Sequence, residues 1–239
     1  MDKYICTNRT EDFRNTVKEI VDFSKKKILD FFEVKGENDF DFNVYIYDTQ
    51  EELVQGLRER GFGEDPPHMC ACSKDSDHSL NYFEPSDEYS DNAWSKNEYL
   101  GQNVVFHELV HGIQSYIYGS QPEWLTEGVA KYLDGTYSKG IANLLENYVN
   151  RCEIPEMDEL VNEFGWHQDK YDAYDYAYLI VSYLIEKDEK SNFVNNIHDS
   201  NYLKELEDND IVHTAIKYYN DKYGSNKGDV IDESSVKLG

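Results

Sequence analysis

Basic residues are scarce in this chain of 239 residues. Lys+Arg number 23 against 48 Asp+Glu, a formal net charge of −25. A phosphate backbone would be repelled by such a surface, so nucleic acid is not expected as a partner. Anionic membrane surfaces are disfavoured for the same reason. No apolar run approaches the ~20 residues that a membrane-spanning helix needs. The start, Met1-Asp2-Lys3-Tyr4-Ile5-Cys6, has no basic segment followed by an apolar one. No signal peptide is visible there, and a cytoplasmic location is expected. The 4 cysteines (Cys6, Cys70, Cys72 and Cys152) are too few for a disulfide scaffold. They read as free thiols in a reducing compartment. No internal repeat is evident.

Aromatic residues are plentiful, with 20 Tyr and 11 Phe, 14% of the chain with Trp included. That content separates the chain from a disordered acidic tail, and its length is enough to bury a core. Glu11 to Phe32 carries apolar residues at helical spacing. Phe40 to Tyr47 begins with period-two alternation and reads as a strand. Glu51 to Glu59 reads as a short helix, after which Gly61, Gly63, Pro66 and Pro67 break the chain. His68 to Cys72 and Ser79 to Phe83 read as short strands, and a polar loop runs to about Asn97. The pattern is then helical, over 98–118, 123–134, 138–150, 156–164, 172–187, 191–198 and 209–223. Strands in front and helices behind predict an α+β fold with segregated layers. The expected organisation is an N-terminal sublobe over 1–97, a helical sublobe over 98–223 and a flexible tail over 224–239. Together the two sublobes would make one catalytic domain with a cleft between them.

The sharpest motif opens the helical part: His107-Glu108-Leu109-Val110-His111. Residues four apart on a helix are ~40° out of line and ~6 Å apart along the axis, so both imidazoles can reach one metal ion. Zn²⁺ accepts neutral His nitrogen, and Glu108, beside the first ligand, can reach a water instead of the metal. Val105, Leu109, Ile113 and Tyr116 form one apolar stripe and Phe106, Val110 and Ile117 another, so this helix should be buried. Two His and a Glu in such a helix call for partners.

Hydrolytic zinc usually takes three protein ligands. Gly119-Ser120-Gln121-Pro122 ends the first helix and starts the next. In a helical hairpin, His111 and Glu127 return to similar depth, and Gly128 and Ala130 permit close approach. Glu123 is the rival carboxylate, at a helix start where acids are common.

His107 to His111, followed by Trp124-Leu125-Thr126-Glu127-Gly128-Val129-Ala130-Lys131-Tyr132, resembles the gluzincin metallopeptidases of the thermolysin-like clan. The resemblance implies a zinc peptidase with His107, His111 and Glu127 as ligands and Glu108 as general base. Only 15 residues separate His111 from Glu127, so the chain is compact for such a family. The Gly-x-Met-Glu-Asn signature of gluzincin aminopeptidases is absent, which favours an endopeptidase. Lys131 stands where thermolysin-like enzymes carry an acidic residue.

Peptide hydrolysis builds an oxyanion that a Tyr, His or Arg often steadies from the side opposite the metal. Tyr174 is the best match to the catalytic tyrosine of the resembled aminopeptidases, with Tyr171 as the alternate. His167 and His213 are weaker candidates. Ser79 to Phe83 could be the edge strand along which a peptide substrate lies. His68-Met69-Cys70-Ala71-Cys72 with His78 lacks standard zinc spacing and reads as strand-borne thiols.

The substrate implied is a peptide or protein, and the net charge points to basic ones. Two other readings stay open. One is an inactive zinc-binding acidic module that holds a basic partner. The other is a zinc amidase acting on a non-peptide bond.

Overall fold

The computed structural model describes residues 2–7, 11–35, 40–62, 71–74, 78–85, 103–137, 139–167 and 170–224. The fold is α+β. Strand β1 (Lys3–Cys6) leads through α1 (Glu11–Phe31) to β2 (Asn43–Tyr47) and α2 (Gln50–Glu59). Strands β3 (Ala71–Lys74) and β4 (Ser79–Phe83) follow. The sheet order is β1-β2-β4-β3. β1, β2 and β4 run parallel and β3 runs antiparallel to β4. Parallel neighbours need crossovers, and α1 supplies the first.

Register fixes the two faces of this sheet. Val44 is opposite Leu80 and Ile46 opposite Tyr82, all four fully buried. Against this face lies α3 (Val104–Tyr118). A Cβ at Gly112 would stand 3.0 Å from both Leu80 and Phe42, and the Tyr82 hydroxyl donates to the Val105 carbonyl at 3.1 Å. The other face carries Tyr47, Asn81 and Phe83, with Asn81 accepting from Arg60 of the α2 cap. Ser79–Phe83 is therefore an interior strand, with β2 on one side and β3 on the other. The expectation of a substrate-edge strand there is corrected. Leu80 and Tyr82 fill one face while Asn81 and Phe83 fill the other, so the strand is buried on both. Among the described residues β3 holds the edge beside β4, and β1 holds the opposite one.

The helical part begins at α3 and turns at Gly119, where φ is +71°, into α4 (Glu123–Asp134). Then come α5 (Ile141–Asn147), a 3₁₀ turn (Val149–Arg151) and α6 (Met157–Asn162). A two-stranded ribbon, β5 (Trp166–His167) with β6 (Tyr171–Asp172), feeds α7 (Ala173–Asp188). Helices α8 (Lys190–Asn196), α9 (Ser200–Asp208) and α10 (Ile211–Gly224) complete the order. One continuous apolar cluster runs from Phe13 of α1 to Tyr219 of α10. No helix among the described residues is long and apolar enough to cross a membrane.

Four elements escaped the sequence pattern, among them β5 and β6 of two residues each. β1 spans 4 residues, too few to show alternation. α9 is short, and its core-facing side is Leu203 with the partly buried Tyr202 and Leu206; its start is set by Asp199 accepting from the Asn201 amide. The expected helix over 138–150 stops at Asn147, and Tyr148 leaves helical geometry at φ −129°. Residues 98–102, His68, Cys70 and 225–239 lie outside the described residues.

Candidate metal centre

α3 and α4 form the helical hairpin that the spacing of His111 and Glu127 requires. His107, His111 and Glu127 each offer one donor atom, all within 4.8 Å of one another. His107 Nε2 lies 3.0 Å from His111 Nε2 and 3.1 Å from Glu127 Oε2. His111 Nε2 lies 3.3 Å from Glu127 Oε1. Tetrahedral zinc with bonds of ~2.1 Å places its donors roughly 3.4 Å apart, so these separations suit such an ion.

The hairpin holds because α3 and α4 are tied at both ends. At the turn, Gln114 donates to Gln121 at 2.7 Å, and Gln121 donates to the Ile197 carbonyl at 2.6 Å. At the far end, the Asn103 side chain donates to the Asp134 carbonyl at 2.5 Å.

Asp134 was missed in the sequence. Its side chain is 1% exposed. Oδ2 lies 2.9 Å from His107 Nδ1, and Oδ1 accepts from the Thr136 amide at 2.7 Å. Seven residues after Glu127 is two helical turns, so both carboxylates fall on one face of α4. A proton kept on Nδ1 for Asp134 leaves Nε2 as the ring nitrogen that faces His111 and Glu127. The sequence holds one hint, an Asp in the last turn of a helix, where it opposes the macrodipole; its burial, which demands a partner, is seen only in the fold.

The charges are strongly coupled. Burial works against the His107 imidazolium, but Asp134 and Glu127 outweigh it and hold His107 up to about 9. Burial likewise disfavours the Glu127 carboxylate, yet His111 and His107 hold it well below the usual range.

Glu108 sits in α3 beside these groups, and its charge is felt by His107 and Tyr174. Tyr174 lies in the first turn of α7, where Asp172 caps the helix by accepting from the Tyr174 amide at 3.0 Å. Its ring packs edge-on to Phe164, with centroids 5.0 Å apart. Burial, then Glu127, Glu123, Asp172 and Glu108, push the phenol up, so it stays protonated. Tyr171 is buried against Tyr176, and the carboxylates that act on it are Glu159, Glu163 and Glu153. Those are not the carboxylates of the His/Glu cluster. Glu123 stands in the first turn of α4, outside the three-donor set. Its carboxyl is pushed up by burial and by Glu127. His213 is half-exposed on α10 and pairs with Asp210 at 2.9 Å. The His167 side chain lies outside what is described.

No curated protein and no solved structure matches the chain. Residues 93–227, more than half of the chain, match the pattern of a known family. That region contains the whole His/His/Glu cluster and α7, and the match supports metal-dependent peptidase activity. The chain belongs to the Peptidase MA superfamily.

Proposed function

We propose that the protein is a zinc-dependent endopeptidase of gluzincin type, with His107, His111 and Glu127 as the metal ligands. The observation that carries this reading is the convergence of three donors at 3.0, 3.1 and 3.3 Å. Two imidazoles and one carboxylate suit zinc and leave room for water and substrate. Bound there, the ion supplies Lewis-acid polarisation of the scissile carbonyl and lowers the pKa of water toward neutrality.

The chain's own residues do the rest. Glu108 takes the proton from the attacking water and delivers it to the leaving amine. Tyr174, kept protonated by its surroundings, donates to the developing oxyanion. Asp134 holds the His107 ring in its ligating orientation. The outer edge of β3 is the better candidate for an extended substrate, now that β4 is interior. The net charge of −25 supports a preference for basic peptides.

The test is metal analysis with peptide-library cleavage by wild type and Glu108→Gln. Expected are one zinc per chain in both, internal cleavage by wild type, and loss of about 10³-fold or more in the variant. Stoichiometric zinc without cleavage of any peptide would leave the inactive acidic module as the better reading. Turnover of small amides alone would favour the amidase.

A further inference from the structure

Lys131 is the residue that departs from the thermolysin-like pattern, and its surroundings give it a task. On α4 it lies about 40° around the helix from Glu127 and about 60° from Gly128. Glu127 looks toward α3, whereas Gly128 looks toward α7. A Cβ at Gly128 would stand 2.5 Å from the Ala177 carbonyl oxygen, so α4 and α7 touch backbone to backbone there. Lys131 therefore emerges at the seam between the metal-ligand helix and the helix that carries Tyr174. Its Nζ sits 5.6 Å from the centroid of the Tyr174 ring, within cation–π range. Its charge also acts on Asp172 and Asp175, opposing the effect of burial on both carboxyls. Asp175 in turn accepts from the Tyr137 hydroxyl, and the Tyr137 ring stacks on Tyr178 at 4.2 Å.

We infer that Lys131 is a positioning residue for Tyr174: its ammonium caps the ring and bridges to the acidic first turn of α7, fixing where the phenol points. This rests on the reading of Tyr174 as oxyanion donor. The ring has two kinds of support, Phe164 in a T-shaped contact and Lys131 over its face. The aromatic contact holds the Tyr174 ring from the Phe164 side. A charge attracted at once by the ring, Asp172 and Asp175 restrains it from the α4 side. An acidic residue at position 131 would instead repel both aspartates and the ring face.

The experiment compares Lys131→Met, Lys131→Arg, Tyr174→Phe and the double variant Lys131→Met/Tyr174→Phe, each loaded with zinc. Thermal midpoint and metal content establish that each folds and loads. Expected for Lys131→Met is a fall in kcat of about 10-fold with KM nearly unchanged, since the contact matters in the transition state. Lys131→Arg keeps most of kcat, because a guanidinium also caps a ring. In the Tyr174→Phe background, Lys131→Met should add no further loss. In the metal-free protein, NMR should find the Lys131 ε-methylene protons shifted upfield by the ring, and back at ordinary values in Tyr174→Leu. Multiplicative losses in the double variant, or wild-type kcat in Lys131→Met, would overturn the inference alone. Full activity in Tyr174→Phe would overturn it together with the oxyanion role, so the two failures are distinguishable.

Discussion

Asp134 Oδ2 stands 2.9 Å from Nδ1 of His107, joining the last turn of the Glu127 helix to the first imidazole of the His/His/Glu cluster. The same carboxylate accepts the Thr136 amide through its other oxygen at 2.7 Å. Asp134 thus holds the end of α4 and the ring of His107 in one rigid unit.

Asp134→Asn keeps the shape and removes the charge. Zinc affinity should fall about 10–100-fold, with the fold intact. Competition with a chromophoric chelator measures this directly. An unchanged affinity would show that the hydrogen bond to His107 does not tune the site.

Metal removal should separate activity from folding. The apolar cluster runs from Phe13 to Tyr219 without His107, His111 or Glu127, so chelated protein should keep its far-UV circular dichroism at 25 °C while losing cleavage. Saturating zinc at ~1,000 times its Kd should add about 4 kcal/mol. That corresponds to roughly 10 °C in Tm for a chain of this size. A Tm indifferent to zinc would argue that the ion is not bound by the native state.

Gly128→Ala should be costly despite Ala's better helix propensity. The new methyl would meet the Ala177 carbonyl oxygen at 2.5 Å and Val181 Cγ2 at 2.6 Å. Overpacking of this kind costs about 1–3 kcal/mol or more, against ~1 kcal/mol gained in propensity. Differential scanning calorimetry should report a lower Tm, and kcat should fall as α7 and Tyr174 are pushed off α4. A raised Tm would mean that α4 and α7 separate easily.

Asp175 gives a pH signature away from the metal. Burial pushes its carboxyl up to about 6 from 3.8, with the Tyr137 hydrogen bond opposing. The folded state therefore binds its proton more tightly than the unfolded state does. The stability that this proton confers is full below about pH 3.8, is lost as pH rises to about 6, and is gone above that. Asp175→Asn should remove this dependence. Relative to wild type, the variant should gain stability between pH 4 and 7, on the order of 2 kcal/mol. Denaturant titrations of both proteins at the two pH values check it. A constant difference would place the Asp175 carboxyl at its ordinary range.

Much of the helical part is readable because its signals are local. The helix over 123–134 has the same bounds in sequence and structure; its preceding Pro and following Gly mark both ends. Ser79–Phe83 was legible as a strand but not as an interior one, because pairing on both sides depends on residues far away in the chain. α9 was lost because it spans only 9 residues, so Tyr202, Leu203 and Leu206, which pack on the core, show little more than one repeat of the helical period.

By itself the sequence determined the residues that meet at the centre. His107 and His111 share a helix face through spacing alone, and a short turn returns Glu127 to their depth. Tertiary structure decided what surrounds them. Asp134 beneath His107, Lys131 over Tyr174 and Gly128 against Ala177 are contacts between helices, whose energies depend on distance in space and on burial. One chain in isolation records spacing along a helix, whereas which helix it faces is set only when the core packs.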